Sequence, residues 1–448
     1  MNLNNIHNVY FVGVGGIGMS ALARYFKHGG KNVAGYDRIS TEITKSLQNS
    51  GVDIHFEDSL DLIQLNYRDK EKTLIIYTPA IPKNNSELNY FLKNDFKVLK
   101  RSEILGEITR NSFCLAVSGT HGKTTTSTIL GYILKECGVN ATSFLGGISE
   151  NYNSNLILGG SEISVVEADE FDRSFLQLSP NIACITSMDA DHLDIYGEAS
   201  ELEDSFIEFS EKVTDDLIVK KGLPIQGVTY GIEEDADFNA ENLRIENGSY
   251  VFDIQTPEEF FKNIKITLPG KHNVLNTVAA LAMASSFGLS IESIAKALLT
   301  FRGIKRRFSY KIKTENLILI DDYAHHPTEI NAVENAVREM YPSKKVLAVF
   351  QPHLFSRTKD FVDDFAQSLS KFDELILLDI YPARELPIEG VNSEWLLGKI
   401  KSKNKQLSSK ENLVSNILNS DAQIIVMMGA GDIGELVTEV KENLTVEN

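Results

Sequence analysis

The segment from Ser118 to Thr126, SGTHGKTTT, has the residue types and spacing of a phosphate-binding loop. It ends an apolar run, FCLAV, and opens an amphipathic one. A strand, a loop and a helix in this order bind polyphosphates through backbone N–H groups and the positive end of the helix. Lys123 would reach a terminal phosphate, and Thr124 would hold Mg²⁺. The other loop residues expected to contact the nucleotide are Gly119, Thr120, His121, Gly122 and Thr125.

This loop departs from the strict G-x-x-x-x-G-K-[ST] pattern, because Val117 stands where the first glycine is required. We therefore interpret it as a shorter variant. A structural turn is the alternative, but the strand-to-helix junction favours nucleotide binding. A plain transport or signalling ATPase stays open on this motif alone.

A second glycine-rich loop follows the apolar run at the start of the chain, NVYFVGVGGIG. Gly13, Gly15, Gly16 and Gly18 would let a diphosphate approach the backbone closely, and Asp37, roughly twenty positions on, could accept from a ribose hydroxyl. This pattern is typical of a dinucleotide-binding unit, but it is only moderately specific.

Acidic and imidazole groups follow two further apolar runs. Glu167 ends the run ISVVE, so its carboxylate should lie at the same sheet edge as the phosphate loop and suit Mg²⁺. We prefer it to Asp169 and Glu170 because it is nearest the strand end. His192, in DADHLD after the run IACITS, is the candidate second-metal or phosphate contact. The alternatives are a solvated acidic loop and a packing histidine.

Amide and guanidinium groups form a third set of candidates. Asn273 and Asn276 lie one helical turn apart in GKHNVLN and could face a nucleotide or a metal-bound water, with helix capping as the alternative. Arg306 and Arg307 belong to the basic segment FRGIKRRF of an otherwise acidic chain. An arginine there could stabilise charge on a transferring phosphoryl group. The alternative interpretation is a solvated charged surface.

Two later segments point to a small carboxylate-bearing substrate. DDYAHHP, with Tyr323 and His325, ends an apolar run and precedes a helical pattern that Pro327 can begin. Arg357, in QPHLFSR after the next run, could pair bidentately with a carboxylate.

These residues lie in three successive blocks of the sequence, each with a pattern of alternating strands and helices. We predict an α/β fold with three domains and mostly parallel sheets. The expected boundaries are 1–108 for a Rossmann-like domain with the first glycine-rich loop, 109–308 for a central ATP-binding domain of the P-loop type, and 309–448 for a Rossmann-like domain with the segments for the carboxylate-bearing substrate.

Composition excludes several classes of partner. The balance of 44 basic against 62 acidic residues gives a net charge of −18, which argues against nucleic acid or an anionic membrane as partner. The three cysteines lack a C-x-x-C spacing and are expected to be free thiols in a reducing compartment. With no leader-like segment and no bilayer-length apolar run, we expect a cytoplasmic protein.

Two phosphate-type loops in one chain narrow the function. A dehydrogenase that bound NAD at the first loop would not need the lysine-containing second loop, and a motor or transporter would not need the first. A sugar nucleotide at the first loop and ATP at the second is the simplest assignment.

The ordered motifs are similar to those of the Mur ligase family of peptidoglycan synthesis, over essentially the whole chain. They are GVGGIGMS, SGTHGKTTT, EADE, DADHLD, GKHNVLN, RRF, DDYAHHPTEI and FQPHLFSRT. The last two resemble the L-alanine-adding members more than the members that recycle the murein tripeptide. The recycling ligase and a general P-loop ATPase remain the alternatives. The family often has asparagine where this chain has Ser187.

The resemblance implies ATP, UDP-N-acetylmuramate and L-alanine as substrates, an acyl-phosphate intermediate, and Mg²⁺. It also implies that the domain at 1–108 binds the UDP-sugar and that the domain at 309–448 binds the amino acid. It also implies residue roles. Lys123 would contact the β- and γ-phosphates, Thr124 and Glu167 would hold one Mg²⁺, and His192 would support a second metal. The remaining implied contacts are Asn273 and Asn276 with Arg306 or Arg307 for ATP, Tyr323, His325 and Arg357 for L-alanine, and Gly13 to Gly18 with Asp37 for the uridine nucleotide.

Overall fold

The computed structural model describes residues 5–189, 196, 198–383 and 385–446, with the side chains of 199 and 446 left out. Within these ranges the strands form three sheets of five, ten and six strands. Most of the registered pairs are parallel, so the predicted α/β fold with mostly parallel sheets is confirmed.

The first sheet follows the second glycine loop of the sequence. Its strand order is β3-β2-β1-β4-β5, and every registered pair is parallel. The order reverses between β1 and β4, which creates a crevice at the carboxyl ends of these strands. Its elements are β1 (Asn8–Val12), α1 (Ile17–His28), β2 (Asn32–Tyr36), α2 (Glu42–Asn49), β3 (Asp53–His55), β4 (Thr73–Tyr77), α3 (Ser86–Lys93), β5 (Lys97–Lys100) and α4 (Arg101–Arg110).

The central sheet has the order β15-β14-β13-β12-β11-β10-β6-β9-β7-β8. Its strands are β6 (Phe113–Ser118), β7 (Thr142–Ser149), β8 (Ser154–Ile157), β9 (Ile163–Glu167), β10 (Ile182–Ile185), β11 (Leu217–Lys220), β12 (Val228–Ile232), β13 (Phe238–Glu246), β14 (Ser249–Gln255) and β15 (Phe260–Ile266). Its helices are α5 (Lys123–Glu136), α6 (Ala199–Ser210), α7 (Lys271–Ser286) and α8 (Ile291–Leu298). Strand β6 lies between β9 and β10, parallel to both, so the loops after these three strands share one edge.

The third sheet has the order β16-β17-β21-β18-β19-β20, with β16 antiparallel to β17 and the other pairs parallel. Its strands are β16 (Ser309–Lys313), β17 (Ile318–Asp322), β18 (Val346–Phe350), β19 (Glu374–Leu377), β20 (Asn404–Leu407) and β21 (Ile424–Met428). Its helices are α9 (Pro327–Met340), α10 (Phe355–Asp360), α11 (Val362–Leu369), α12 (Ser393–Lys399), α13 (Leu413–Leu418) and α14 (Ile433–Val446).

The chain forms two compact units. The first comprises the chain up to Leu243 with Phe252–Lys265 and Leu275–Phe301, and the second comprises Arg244–Val251, Ile266–Val274 and the chain from Arg302 onward. Inside the first unit, helix α1 packs on strands β7 and β8. The amide of Asn155 donates to the Ile17 carbonyl at 2.5 Å and to the Ser20 hydroxyl at 2.8 Å. The first sheet is therefore attached directly to the central one.

None of the helices in the described ranges has both the length and the apolar character that crossing a bilayer requires.

Candidate functional site

The phosphate loop lies between β6 and α5, as the sequence predicts. Gly119 and Gly122 have φ of +125° and +88°, in the left-handed region that favours glycine. A Cβ at Gly119 would overlap the Thr186 hydroxyl, and one at Gly122 would lie 2.5 Å from the Asn276 amide oxygen. Close neighbours thus leave no room for a side chain at either glycine, and the loop forms without a glycine at position 117.

The segment after β10 forms hydrogen bonds with this loop. Thr186 donates from its hydroxyl to the carbonyls of His121 at 2.5 Å and Ser118 at 3.0 Å. The Ser187 hydroxyl accepts from the His121 backbone N–H at 2.8 Å and lies 2.9 Å from the Thr120 hydroxyl. Ser187, which the sequence shows only as a departure from the family pattern, therefore supports the loop directly.

Lys123 begins helix α5 and points back over its own loop. Its ammonium lies 2.7 Å and 2.9 Å from the two carboxylate oxygens of Glu170, and it donates to the Gly119 carbonyl at 2.7 Å. Burial lowers the pKa of this ammonium, but Glu170, followed by Asp169 and Glu167, outweighs burial, so the pKa of Lys123 is raised. Lys123 is therefore a cation in this site. Sequence reasoning ranked Glu170 behind Glu167 and found no role for it.

Glu167 ends β9 at the predicted edge. One carboxylate oxygen accepts from the Gly146 N–H at 3.1 Å, and a Cβ at Gly146 would overlap this carboxylate. The Thr124 side chain lies in the first turn of α5. Carboxylate and hydroxyl oxygens are ligands that suit Mg²⁺. Among the described residues no group of three or more acidic, histidine or cysteine side chains forms a ready cage, and His192 lies outside them.

The two predicted amide contacts have different surroundings. Asn276 reaches the phosphate loop, where its amide oxygen accepts from the Thr126 hydroxyl at 3.4 Å. The amide nitrogen of Asn273 donates to the Pro269 carbonyl at 2.6 Å, at the start of α7. Asn276 is therefore positioned beside the loop, whereas Asn273 makes the kind of local helix-end contact that was its alternative reading.

The first glycine loop adjoins a cavity of about 260 Å³. Its lining includes Gly16, Gly18, Arg101, Gly146, Glu167 and Asp169. The cavity thus joins the glycine loop to the carboxylate beside the phosphate loop within one unit. Two sites that the sequence predicts separately are neighbours.

Asp37 supports the glycine loop, and Arg101 lines the cavity. Asp37 directly follows β2, and its carboxylate accepts from the Gly15 N–H at 2.6 Å, so it supports the glycine loop. The Arg101 guanidinium lies 3.3 Å from the Asp169 carboxylate. Arg101 brings a positive charge to the cavity, and sequence reasoning missed it because nothing local links the start of α4 to a residue that follows β9.

In the second unit, Tyr323 and His325 follow β17. The His325 Nδ1 lies 2.9 Å from the Tyr323 carbonyl oxygen and 3.2 Å from the Glu329 carboxylate. Burial lowers the pKa of His325, while Glu329 opposes this shift. Glu329 also accepts from the His325 backbone N–H at 2.9 Å. The imidazole is thereby fixed in position next to a carboxylate.

Arg357 joins the same cluster from α10. Its side chain is only 9% exposed, and a guanidinium nitrogen lies 3.4 Å from Nδ1 of His353. The His353 ring lies 6.0 Å from the His325 ring and stacks on Tyr381 at 5.7 Å. The two segments that the sequence assigns to one substrate therefore meet. His353 stands in the quoted motif, but sequence reasoning gave it no role.

The structure separates the two adjacent arginines. Arg306, with φ of +60°, donates to the Gly429 carbonyl at 2.5 Å and lies 3.4 Å from the Asp321 carboxylate. A Cβ at Gly434 would overlap its guanidinium. Arg307 lies 3.5 Å from the Glu329 carboxylate, beside the histidine cluster. Arg306 thus fills the glycine loop after β21, and Arg307 is the arginine directed to the cluster.

With this geometry established, comparison with known proteins gives a consistent result. The chain matches three family models: "Mur ligase family, catalytic domain" at residues 8–113, "Mur ligase middle domain" at 117–284, and "Mur ligase, glutamate ligase domain" at 306–431. It is 63% identical over 446 residues to a UDP-N-acetylmuramate–L-alanine ligase of Flavobacterium psychrophilum, covering 99% of each chain. The chain belongs to the Mur ligase family.

Further similarities agree with this assignment. A UDP-N-acetylmuramate–L-alanine ligase of Christiangramia forsetii is 61% identical over 449 residues, which is 100% of this chain and 99% of the relative. The crystal structure of a UDP-N-acetylmuramate-alanine ligase from Thermotoga maritima has a TM-score of 0.85 at 27% identity, covering 98% of this chain and 100% of the other. A murein peptide ligase from Psychrobacter arcticus, with a TM-score of 0.70 at 22% identity and 98% of each chain covered, shares the fold.

The resemblance to Mur ligases and the expected three-domain architecture, with Rossmann-like ends and a P-loop centre, are therefore confirmed. The predicted boundaries near residues 108 and 308 and the individual residue roles stay predictions.

Proposed function

We propose that this Mur ligase joins L-alanine to the carboxylate of UDP-N-acetylmuramate at the expense of ATP, in peptidoglycan biosynthesis. The relatives that are 60–63% identical over 99% or more of this chain carry that name. The observation that carries the proposal is the cavity running from the glycine loop to Glu167, in the unit that also holds Lys123. A sugar nucleotide bound along it would present its acid close to the phosphate loop.

The reaction needs two steps. A carboxylate oxygen of the sugar nucleotide attacks the γ-phosphorus of ATP, which forms an acyl phosphate and releases ADP. The amine of L-alanine then attacks the acyl carbon, an amide forms, and inorganic phosphate leaves. Positioning and charge neutralisation account for most of such catalysis. In this assignment Lys123 holds the β- and γ-phosphates, and the backbone N–H groups of the loop bind their oxygens.

We assign Mg²⁺ to Thr124 and Glu167, whose hydroxyl and carboxylate oxygens fit it, with His192 as the predicted contact for a second ion. The ion, when bound, neutralises charge on the phosphates.

We place L-alanine at Tyr323, His325 and Arg357. The guanidinium of Arg357 suits the amino-acid carboxylate because it presents paired N–H donors. We place the uridine nucleotide at the glycine loop and at Asp37, whose bond to Gly15 sets the shape of that loop. We also propose a cytoplasmic location, where ATP and sugar nucleotides are available.

Release of ADP with substrates left out one at a time tests this proposal. Full release should require ATP, Mg²⁺, UDP-N-acetylmuramate and L-alanine together. Release at full rate without the sugar nucleotide would instead indicate a general ATPase. Faster ligation of the murein tripeptide than of L-alanine would indicate a recycling ligase.

A further inference from the structure

Lys123 and Glu170 form an ion pair that is almost fully enclosed. The Glu170 side chain is 0% exposed and the Lys123 side chain 13%. Both carboxylate oxygens lie within 2.9 Å of the ammonium. Such burial is tolerated because each charge neutralises the other, and removing one partner would leave an uncompensated buried charge.

The ammonium has no donor to spare. Besides Glu170, Lys123 donates to the carbonyls of Gly119 at 2.7 Å and Thr120 at 3.4 Å. An ammonium has three N–H donors. A phosphate that arrives at Lys123 must therefore replace one of these acceptors or share a donor with it, and it brings a second negative charge next to the Glu170 carboxylate.

Glu170 is also held from behind. Its backbone carbonyl accepts from the Tyr196 hydroxyl at 2.6 Å and from the Arg173 N–H at 2.9 Å. The next residues along the turn, Asp172 and Arg173, have φ of +54° and +53°, which non-glycine residues adopt only when their surroundings enforce it. The turn thus delivers the carboxylate to Lys123 at a fixed place.

We propose that Glu170 is the internal counter-ion of Lys123: its carboxylate positions the lysine in the nucleotide-free protein and competes with the nucleotide's terminal phosphate for it. This inference rests on the proposed binding of ATP at the loop. Glu170 is thereby a positioning residue that weakens the binding of nucleotide, so product ADP is held less tightly than the loop alone would hold it.

Calorimetric titration of the full chain with ADP tests the inference, with EDTA present so that metal binding does not contribute. Glu170→Gln keeps the shape and removes the charge, so the Kd for ADP should fall about fivefold, the difference between a charged and a neutral competing hydrogen bond. Glu170→Asp keeps the charge and should stay closer to wild type. Asp172→Asn, at an exposed carboxylate of the same turn, is the matched control and should leave Kd unchanged.

An unchanged or higher Kd in Glu170→Gln would overturn the inference, because a merely structural role predicts weaker binding. Failure of the wild type itself to bind ADP would instead refute the ATP site. If Glu170→Gln does not fold, thermal unfolding of Lys123→Met with and without Glu170→Gln decides. The double variant should unfold at a higher temperature than Lys123→Met alone, and an equal or lower temperature would reject the pairing.

Discussion

Replacing Ser187 by alanine should weaken ATP binding without dismantling the central sheet. The hydroxyl lost in Ser187→Ala accepts from the His121 N–H at 2.8 Å and contacts the Thr120 hydroxyl at 2.9 Å. Ser187 is only 7% exposed, so water cannot easily replace it. The first contact holds the backbone of the phosphate loop and the second holds a loop side chain, and the N–H groups of this loop bind the nucleotide in the proposed function.

The magnitude follows from these contacts. Leaving one buried donor without an acceptor costs about 1 to 3 kcal/mol. The loop can relax to recover this cost when it is empty, but it must return to its present shape to bind phosphate. ATP binding then carries this cost, and the KM for ATP should rise about 5- to 150-fold.

The assay is steady-state ADP release at saturating UDP-N-acetylmuramate and L-alanine, with ATP varied. Ser187→Thr retains a hydroxyl and should restore most of the affinity. Ser164→Ala is a matched control, because Ser164 is buried in the same sheet but contacts the Ser112 hydroxyl at 2.7 Å, away from the loop. The reasoning is refuted if Ser187→Ala keeps the wild-type KM for ATP, or if Ser164→Ala raises it equally.

Three further predictions use other parts of the two units. Lys123→Ala should abolish turnover but keep the affinity for UDP-N-acetylmuramate. Lys135→Ala, at the exposed end of the same helix, should keep both turnover and affinity. Calorimetry that finds both ATP and UDP-N-acetylmuramate binding lost in Lys123→Ala would contradict the two-site assignment. Arg357→Ala should raise the KM for L-alanine about tenfold or more, as expected for loss of a charged hydrogen bond. Arg338→Ala, a change in helix α9, is the control, and an equal rise in this KM there would remove Arg357 from the L-alanine site. Burial, with the charge of Arg307 nearby, lowers the pKa of His272 to about 4, so as pH falls the unfolded chain binds this proton before the folded chain does. Between pH 7 and 5 the free energy of unfolding should therefore fall by about 2 kcal/mol through His272. Urea unfolding of His272→Gln should show a smaller fall over this range, and the same pH dependence as wild type would count against the prediction.

The fold class could be predicted because local patterns determine it. The runs at β1, β9 and β21 are mostly apolar, as expected for parallel strands covered on both faces, and the sequence places them within a residue or two. Strands such as β15, with the sequence FFKNIKI, and the edge strand β20, NKQL, were not identified. Their polar or mixed composition carries no such signal, and their pairing partners define them.

The site could be predicted where a residue adjoins a strand end, as Glu167 does, or belongs to a recognisable motif, as Lys123 and Asn276 do. The role of Glu170 could not be predicted, because its carboxylate reaches Lys123 only through a turn with two positive φ values. Arg101 contacts a residue that is 68 positions away in the sequence, and Arg306 contacts one that is 123 positions away. Sequence spacing contains no information on such contacts.

Transfer of labelled oxygen tests the central claim most directly. UDP-N-acetylmuramate carrying ¹⁸O in its carboxylate is turned over with ATP and L-alanine, and the inorganic phosphate is analysed by mass spectrometry. When both carboxylate oxygens are ¹⁸O, attack of the carboxylate on the γ-phosphorus predicts one ¹⁸O in each phosphate released and one retained in the new amide. Phosphate without the label would contradict the acyl-phosphate route and, with it, the roles given to Lys123 and the cavity beside it.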